Sequence, residues 1–192
     1  MSRCAILSPV LPPGHVAGGY LLTQALLSGF RPPFTHSQQQ TLLWLGTFFA
    51  FAPDLDYFVL FAKTHSMTPH DLGPHRAFWS HRPFVWLVLA ALVVLIAPSP
   101  FMLWVALLVW LGSWSHFVLD TIQEPGIMWL WPFSRKLFTL RKRPTAEWNQ
   151  PEGHFLRYWA RLVAWYARAE ALSFWSEFAL VCAALVVLLR HL

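Results

Sequence analysis

Charge is scarce in this chain. Only 12% of its residues are Asp, Glu, Lys or Arg, about half the roughly 25% of a soluble protein. That is too little to clothe a water-soluble surface. Cysteine is scarcer still, with two in all. Cys4 near the N-terminus and Cys182 inside an apolar run offer neither zinc-ribbon spacing nor a disulfide framework. The opening residues, MSRCAILSPVLPPG, are broken by prolines and lack an apolar h-region, so a cleaved signal peptide is not expected. No internal repeat and no low-complexity segment occurs.

What remains is apolar and aromatic. Hydrophobic residues make up 56% of the chain, with twelve Trp and sixteen Phe. Aromatic side chains gather at membrane–water interfaces, and the expected class is an all-α integral membrane protein. One domain over 1–192 is the default at this length. About five spans are expected, at Gly14 to Phe30, Thr41 to Ala52, Phe84 to Ala97, Phe101 to Leu119 and Leu172 to Leu189. The first four make a core over 14–121 and the last closes the chain at 172–190. Between them, 122–171 is basic and aromatic. Its second half, Glu152 to Ala171, reads as an amphipathic helix in the headgroup plane. Arg157, Arg161 and Arg168 lie on one side, and Trp159, Leu162, Val163 and Tyr166 spread over the other.

The stretch Phe101 to Leu119 has nineteen residues without Asp, Glu, Lys or Arg, close to the roughly 20 needed to cross a bilayer. Near its end stand His116 and Asp120. An i, i+4 pair shares one helical face, about 5–6 Å apart at Cβ. Ionisable groups at the rim of a span are costly, and by default mark function. Alternating the five helices brings Asp54 and Asp56, the His75/His81 loop, and His116 and Asp120 to the face on which His15 begins. That face also collects twelve of the fourteen Lys and Arg residues, and the positive-inside rule makes it cytoplasmic. The net charge of +5 is therefore a topology signal, and a nucleic-acid partner is not expected.

His15, Asp54, Asp56, His75, His81, His116 and Asp120 form a mixed imidazole and carboxylate set. Such ligands suit Zn²⁺, with Mn²⁺ or Fe as poorer matches. Seven candidates exceed one tetrahedral ion, and two metals about 3.5–4 Å apart would use most of them. A metal-activated water would hydrolyse an ester or phosphoester. Asp56 or Asp120 would serve as base or bridge, and the Arg76 guanidinium, alone or with Arg82, would hold phosphate. A site at headgroup depth meets phospholipids without extracting them. Two plainer readings stand beside this one. The aspartates after Pro53 could cap a turn, and the chain could be a non-enzymatic scaffold binding a protein partner through 129–168.

Five segments resemble, in order and spacing, a known family. They are Pro13-Gly14-His15, Ala52-Pro53-Asp54-Leu55-Asp56, His75-Arg76-Ala77-Phe78, Ser115-His116-Phe117-Val118-Leu119-Asp120 and Trp131-Pro132-Phe133. The family is the YdjM-like one, described as LexA-binding, inner-membrane-associated, metal-dependent hydrolases. The resemblance covers about residues 13–140. It implies a multi-helix protein of the bacterial inner membrane with a metal site, distantly similar to zinc-dependent phospholipase C and P1-type nucleases. The family pattern His-Arg-Gly-x-Thr-His-Ser differs from His75-Arg76-Ala77-Phe78-Trp79-Ser80-His81 here. The second histidine is displaced by one residue, which makes His75 the firmer expectation of the two. Gln123 stands where the family favours Thr.

Overall fold

Proline and small residues set the boundaries of the helices. In the computed structural model the described residues are 11–64, 76, 78–122, 126–140, 155–169 and 171–190. Helix α1, Pro12–Phe30, begins on a proline pair, favoured there because the first N–H groups of a helix have no intrahelical partner. It ends at Arg31 in the left-handed conformation, with Pro32 and Pro33 beyond. Helix α2, His36–Phe51, starts with a capping box in which Thr35 and Gln38 satisfy each other's backbone N–H groups. A 3₁₀ turn, Ala52–Asp54, follows directly, because Pro53 cannot donate to the α ladder. Helix α3, Leu55–Thr64, leaves that turn. After a second 3₁₀ turn, Trp79–His81, come α4, Pro83–Ile96, and α5, Pro100–Thr121. Ser99 caps α5 by accepting from the Met102 N–H. Helices α6, Phe155–Ala169, and α7, Ala171–Arg190, complete the chain.

The all-helical class stands, but the number of spans is smaller than five. Among the described residues only α5 and α7 are long and apolar enough to cross a membrane. The reason is geometric. At about 1.5 Å per residue, the 14 residues of α4 reach roughly 21 Å of a hydrocarbon core near 30 Å. The 16 residues of α2 reach roughly 24 Å, and begin on Ser37 and three glutamines. Helix α1 is longer but carries His15, Thr23 and Gln24.

Helix α5 packs against α1, α2 and α4, and α1 also packs against α2 and α7. Close approach at the α1–α2 contact depends on glycine. A Cβ on Gly19 would stand 2.3 Å from the Ala50 Cβ, and one on Gly46 would stand 2.1 Å from Thr23 Oγ1. Small residues of this kind let helix backbones meet inside membranes. A second tie joins the ends of the chain. Glu177 on α7 accepts from the Leu11 backbone N–H at 3.0 Å and from the Tyr166 hydroxyl of α6. A carboxylate there complements the dipole at the start of α1. The amphipathic reading of α6 matches its sides, with Leu162 and Tyr166 buried and Arg157, Arg161 and Arg168 exposed, although Val163 is exposed too.

The Gly19 contact gives a direct test. Gly19→Ala should destabilise the protein by about 1–3 kcal/mol through overpacking, read from thermal unfolding in detergent. Adding Ala50→Gly should recover part of that loss, because the two sites share one contact. No recovery would mean that the strain lies elsewhere.

Candidate metal centre

Five elements bring the polar residues together at one end of the helix bundle. The first turn of α1 carries His15, and the 3₁₀ turn forced by Pro53 carries Asp54. Asp56 opens α3. The Trp79–His81 turn carries Ser80 and His81, and is pinned to α4 by the Trp86 indole N–H donating to the Ser80 carbonyl at 2.7 Å. The last two turns of α5 carry His116 and Asp120. His15, His81, His116 and Asp120 are buried. Asp54 keeps partial exposure, with 15% of its side chain accessible.

Their donor atoms face one another. His116 Nε2 lies 3.4 Å from His81 Nε2, 3.3 Å from Asp120 Oδ2 and 3.6 Å from Asp54 Oδ1. His81 Nε2 is 3.5 Å from Asp54 Oδ1 and 3.9 Å from Asp120 Oδ2. His15 Nε2 is 3.6 Å from Asp120 Oδ1 and 3.9 Å from Asp54 Oδ2, and its ring stacks on His116 with centroids 3.8 Å apart. Two overlapping ligand sets result, His15–Asp54–His116 and His81–His116–Asp120, which share His116.

The surroundings orient these rings. A carbonyl can only accept, so His116 Nδ1–H donates to the Ala50 carbonyl at 2.9 Å. That fixes the tautomer and turns the Nε2 lone pair toward the cluster. Behind His81, Nδ1 stands 3.2 Å from Asp56 Oδ2, which also accepts from the Ser80 hydroxyl at 2.7 Å. This is the carboxylate–histidine arrangement that supports metal ligands. Electrostatics follow the same geometry. Burial alone would lower the His81 pKa, but hydrogen bonds to Asp54 and Asp56 and the Asp120 charge push it up to about 9. Burial would raise the Asp54 pKa, but the neighbouring His116, the His81 hydrogen bond and His15 hold it at about 2.

The donor set fits a divalent cation. Ligand atoms about 2.0–2.1 Å from a tetrahedral zinc stand roughly 3.3–3.4 Å apart, near the shorter separations found here. Asp120 Oδ2 is buried with no hydrogen-bond partner among the described residues, a costly state that an ion would relieve.

Five of the seven expected ligands therefore converge, namely His15, Asp54, His81, His116 and Asp120. Asp56 does not join either set and instead backs His81. His75 lies outside the described residues, as do His65, His70 and His154. Arg76 departs from its expected role as a phosphate holder. It is buried, its Nη2 is 2.7 Å from Asp120 Oδ1, and its Nη1 donates to the Asp120 carbonyl at 3.2 Å. Its charge offsets that of the buried carboxylate. The Ala50 carbonyl and Ser80 were not legible as site groups, since each acts only through the packing that brings it to a histidine. Arg76→Met should cost about 3–5 kcal/mol in denaturant unfolding of the metal-free protein, because it strands a buried charge. Asp120→Asn in the same chain should return much of that loss.

No curated protein and no solved structure matches the chain. The family model described as YdjM inner membrane protein matches residues 10–191, nearly the whole length and well past the segments that carry the motifs. With its inward-facing His and Asp side chains grouped at one end of an apolar bundle, the chain belongs to the YdjM inner membrane protein family, a family of the bacterial inner membrane.

Proposed function

We propose that this protein is a membrane-bound, metal-dependent hydrolase that cleaves a phosphoester in a lipid or another amphipathic substrate, at the cytoplasmic face of the inner membrane. The observation that carries this reading is that three histidine Nε2 atoms each lie 3.3 to 3.9 Å from an oxygen of both Asp54 and Asp120. His15, Asp54, His81, His116 and Asp120 would hold the metal, with zinc the best match for their chemistry and manganese or iron the alternatives. A bound zinc supplies Lewis acidity and makes water acidic enough to act as a nucleophile near neutral pH.

The protein's own groups have separable roles. His116 is held in the right tautomer by the Ala50 carbonyl, and His81 is held by Asp56. Arg76 pairs with Asp120 and holds its carboxylate in place. Asp54 has the most accessible side chain in the cluster, 15% against 2% for Asp120, so substrate enters on its side. The cytoplasmic assignment rests on the Lys and Arg bias of the same face.

Metal content of the detergent-purified protein, by elemental mass spectrometry, tests the centre. One or two equivalents of zinc, manganese or iron are expected in the wild type and none in His116→Ala/Asp120→Ala. Asp56→Asn should keep the metal but weaken it by about 10–100-fold against a chelator, as loss of an outer-shell partner does. Hydrolysis of a phosphodiester lipid should disappear in Asp54→Ala while the fold persists. If no metal binds even after it is added back, the hydrolase reading fails. The cluster would then be a hydrogen-bonded network in a scaffold that meets its partner through 129–168.

A further inference from the structure

Beside the His/Asp cluster lies a groove with a different chemistry. Its volume is about 580 Å³, within the range of small-molecule sites. One wall is the last turn of α5, through Val118 and Thr121. The other is the 126–140 segment, through Trp129, Ser134, Leu137 and Phe138, with Lys136 as the single charged lining residue among the described ones. The walls are fixed to each other. Ile127 and Phe138 exchange backbone hydrogen bonds of 3.0 and 2.9 Å, and the Leu140 N–H donates to the Thr121 carbonyl at 2.9 Å. Gly126 makes the turn possible, since at φ +80 a Cβ would stand 2.0 Å from the Phe138 carbonyl oxygen.

The groove asks for an apolar ligand. Thr121 Oγ1 donates to the Phe117 carbonyl at 2.6 Å and accepts from the Trp129 indole N–H at 2.8 Å. The polar side chains that α5 and Trp129 bring to its wall are thus already paired with each other. A peptide strand laid there would lose water from its own N–H and C=O groups without gaining partners, at a cost of about 1–3 kcal/mol for each. An acyl chain has no such groups. Lys136 then supplies the charge complement for a phosphate at the chain's head. The same segment exposes Leu130, Phe133 and Leu140 beside Arg135, the mixture of apolar and basic side chains that seats itself at a lipid headgroup boundary.

We propose that this groove seats an acyl chain of an anionic diacyl phospholipid, with the Lys136 ammonium at its phosphate. Thr121 adjoins Asp120 in sequence, so one wall of the groove lies within a turn of α5 from the metal ligands. For the step from binding to cleavage the inference rests on the hydrolase reading, and it names the substrate class for it.

Retention of dioleoyl phosphatidylglycerol by the full-length protein, measured by native mass spectrometry after release from detergent, tests it. Lys136→Gln should lower retention roughly fivefold, the effect of about one charge at an anionic surface. Val118→Trp should lower it by filling the groove. Leu95→Trp, on the exposed apolar side of α4, should leave it unchanged. Dioleoylglycerol, which lacks the phosphate, should be retained less by the wild type and equally by Lys136→Gln. Equal phosphatidylglycerol retention in wild type, Lys136→Gln and Val118→Trp overturns the proposal, as does equal wild-type retention of the two lipids. Because Lys136 is exposed, that variant decides the matter even if Val118→Trp does not fold. Metal content and hydrolysis measured on the same samples separate the two claims. Metal-free, inactive protein with Lys136-dependent retention keeps the groove and removes the hydrolase. Active protein with indifferent retention does the reverse.

Discussion

The Asp120 carboxylate is the group on which the rest of this structure depends. It sits buried at the end of the most central helix, where an unpaired charge would be expensive. Arg76 approaches Oδ1 from one side, and His15, His81 and His116 surround the remaining space. Each partner comes from a different part of the chain. Satisfying one carboxylate therefore requires α1, the second 3₁₀ turn and α5 to meet at one place. The glycine contact between α1 and α2, and the Ala50 carbonyl on His116, add α2 to the same junction.

That junction explains why apolar helices of unequal length can share one polar end. The short helices α2 and α4 do not reach across a bilayer, and they need not. Their ends are set by Pro53 and by Pro83, which hold the 3₁₀ turns at the level of the last turns of α5. The polar residues then face inward while the long apolar sides of α5 and α7 supply the surface suited to lipid.

Much of this was legible in the sequence. Pro53 followed by two aspartates, and His116 spaced four residues before Asp120, identify both ends that deliver ligands, because helix periodicity and proline act locally. The expected alternation of five spans is not what groups them, since only α5 and α7 are long and apolar enough to cross among the described residues; they meet at one end of the helix bundle. What escaped was whatever depends on packing. Asp54 and Asp56 look alike in sequence, yet one faces the cluster and the other backs His81, a difference set by the tight turn between them. Arg76 looked like an outward anion binder because its burial cannot be read from its neighbours. His81, displaced from the family spacing, nevertheless stands at the centre, carried there by the Trp79–His81 turn. Apolar composition alone points to five spans, but the rise per residue leaves α2 and α4 too short to cross.

The hydrogen bond from Leu11 to Glu177 joins residues 166 positions apart. During synthesis the first helix therefore waits, its leading turn without this cap, until the final helix has left the ribosome. His15 lies in that leading turn. The turn that presents this ligand is therefore anchored by α7, a helix that contributes none of the five converging ligands itself.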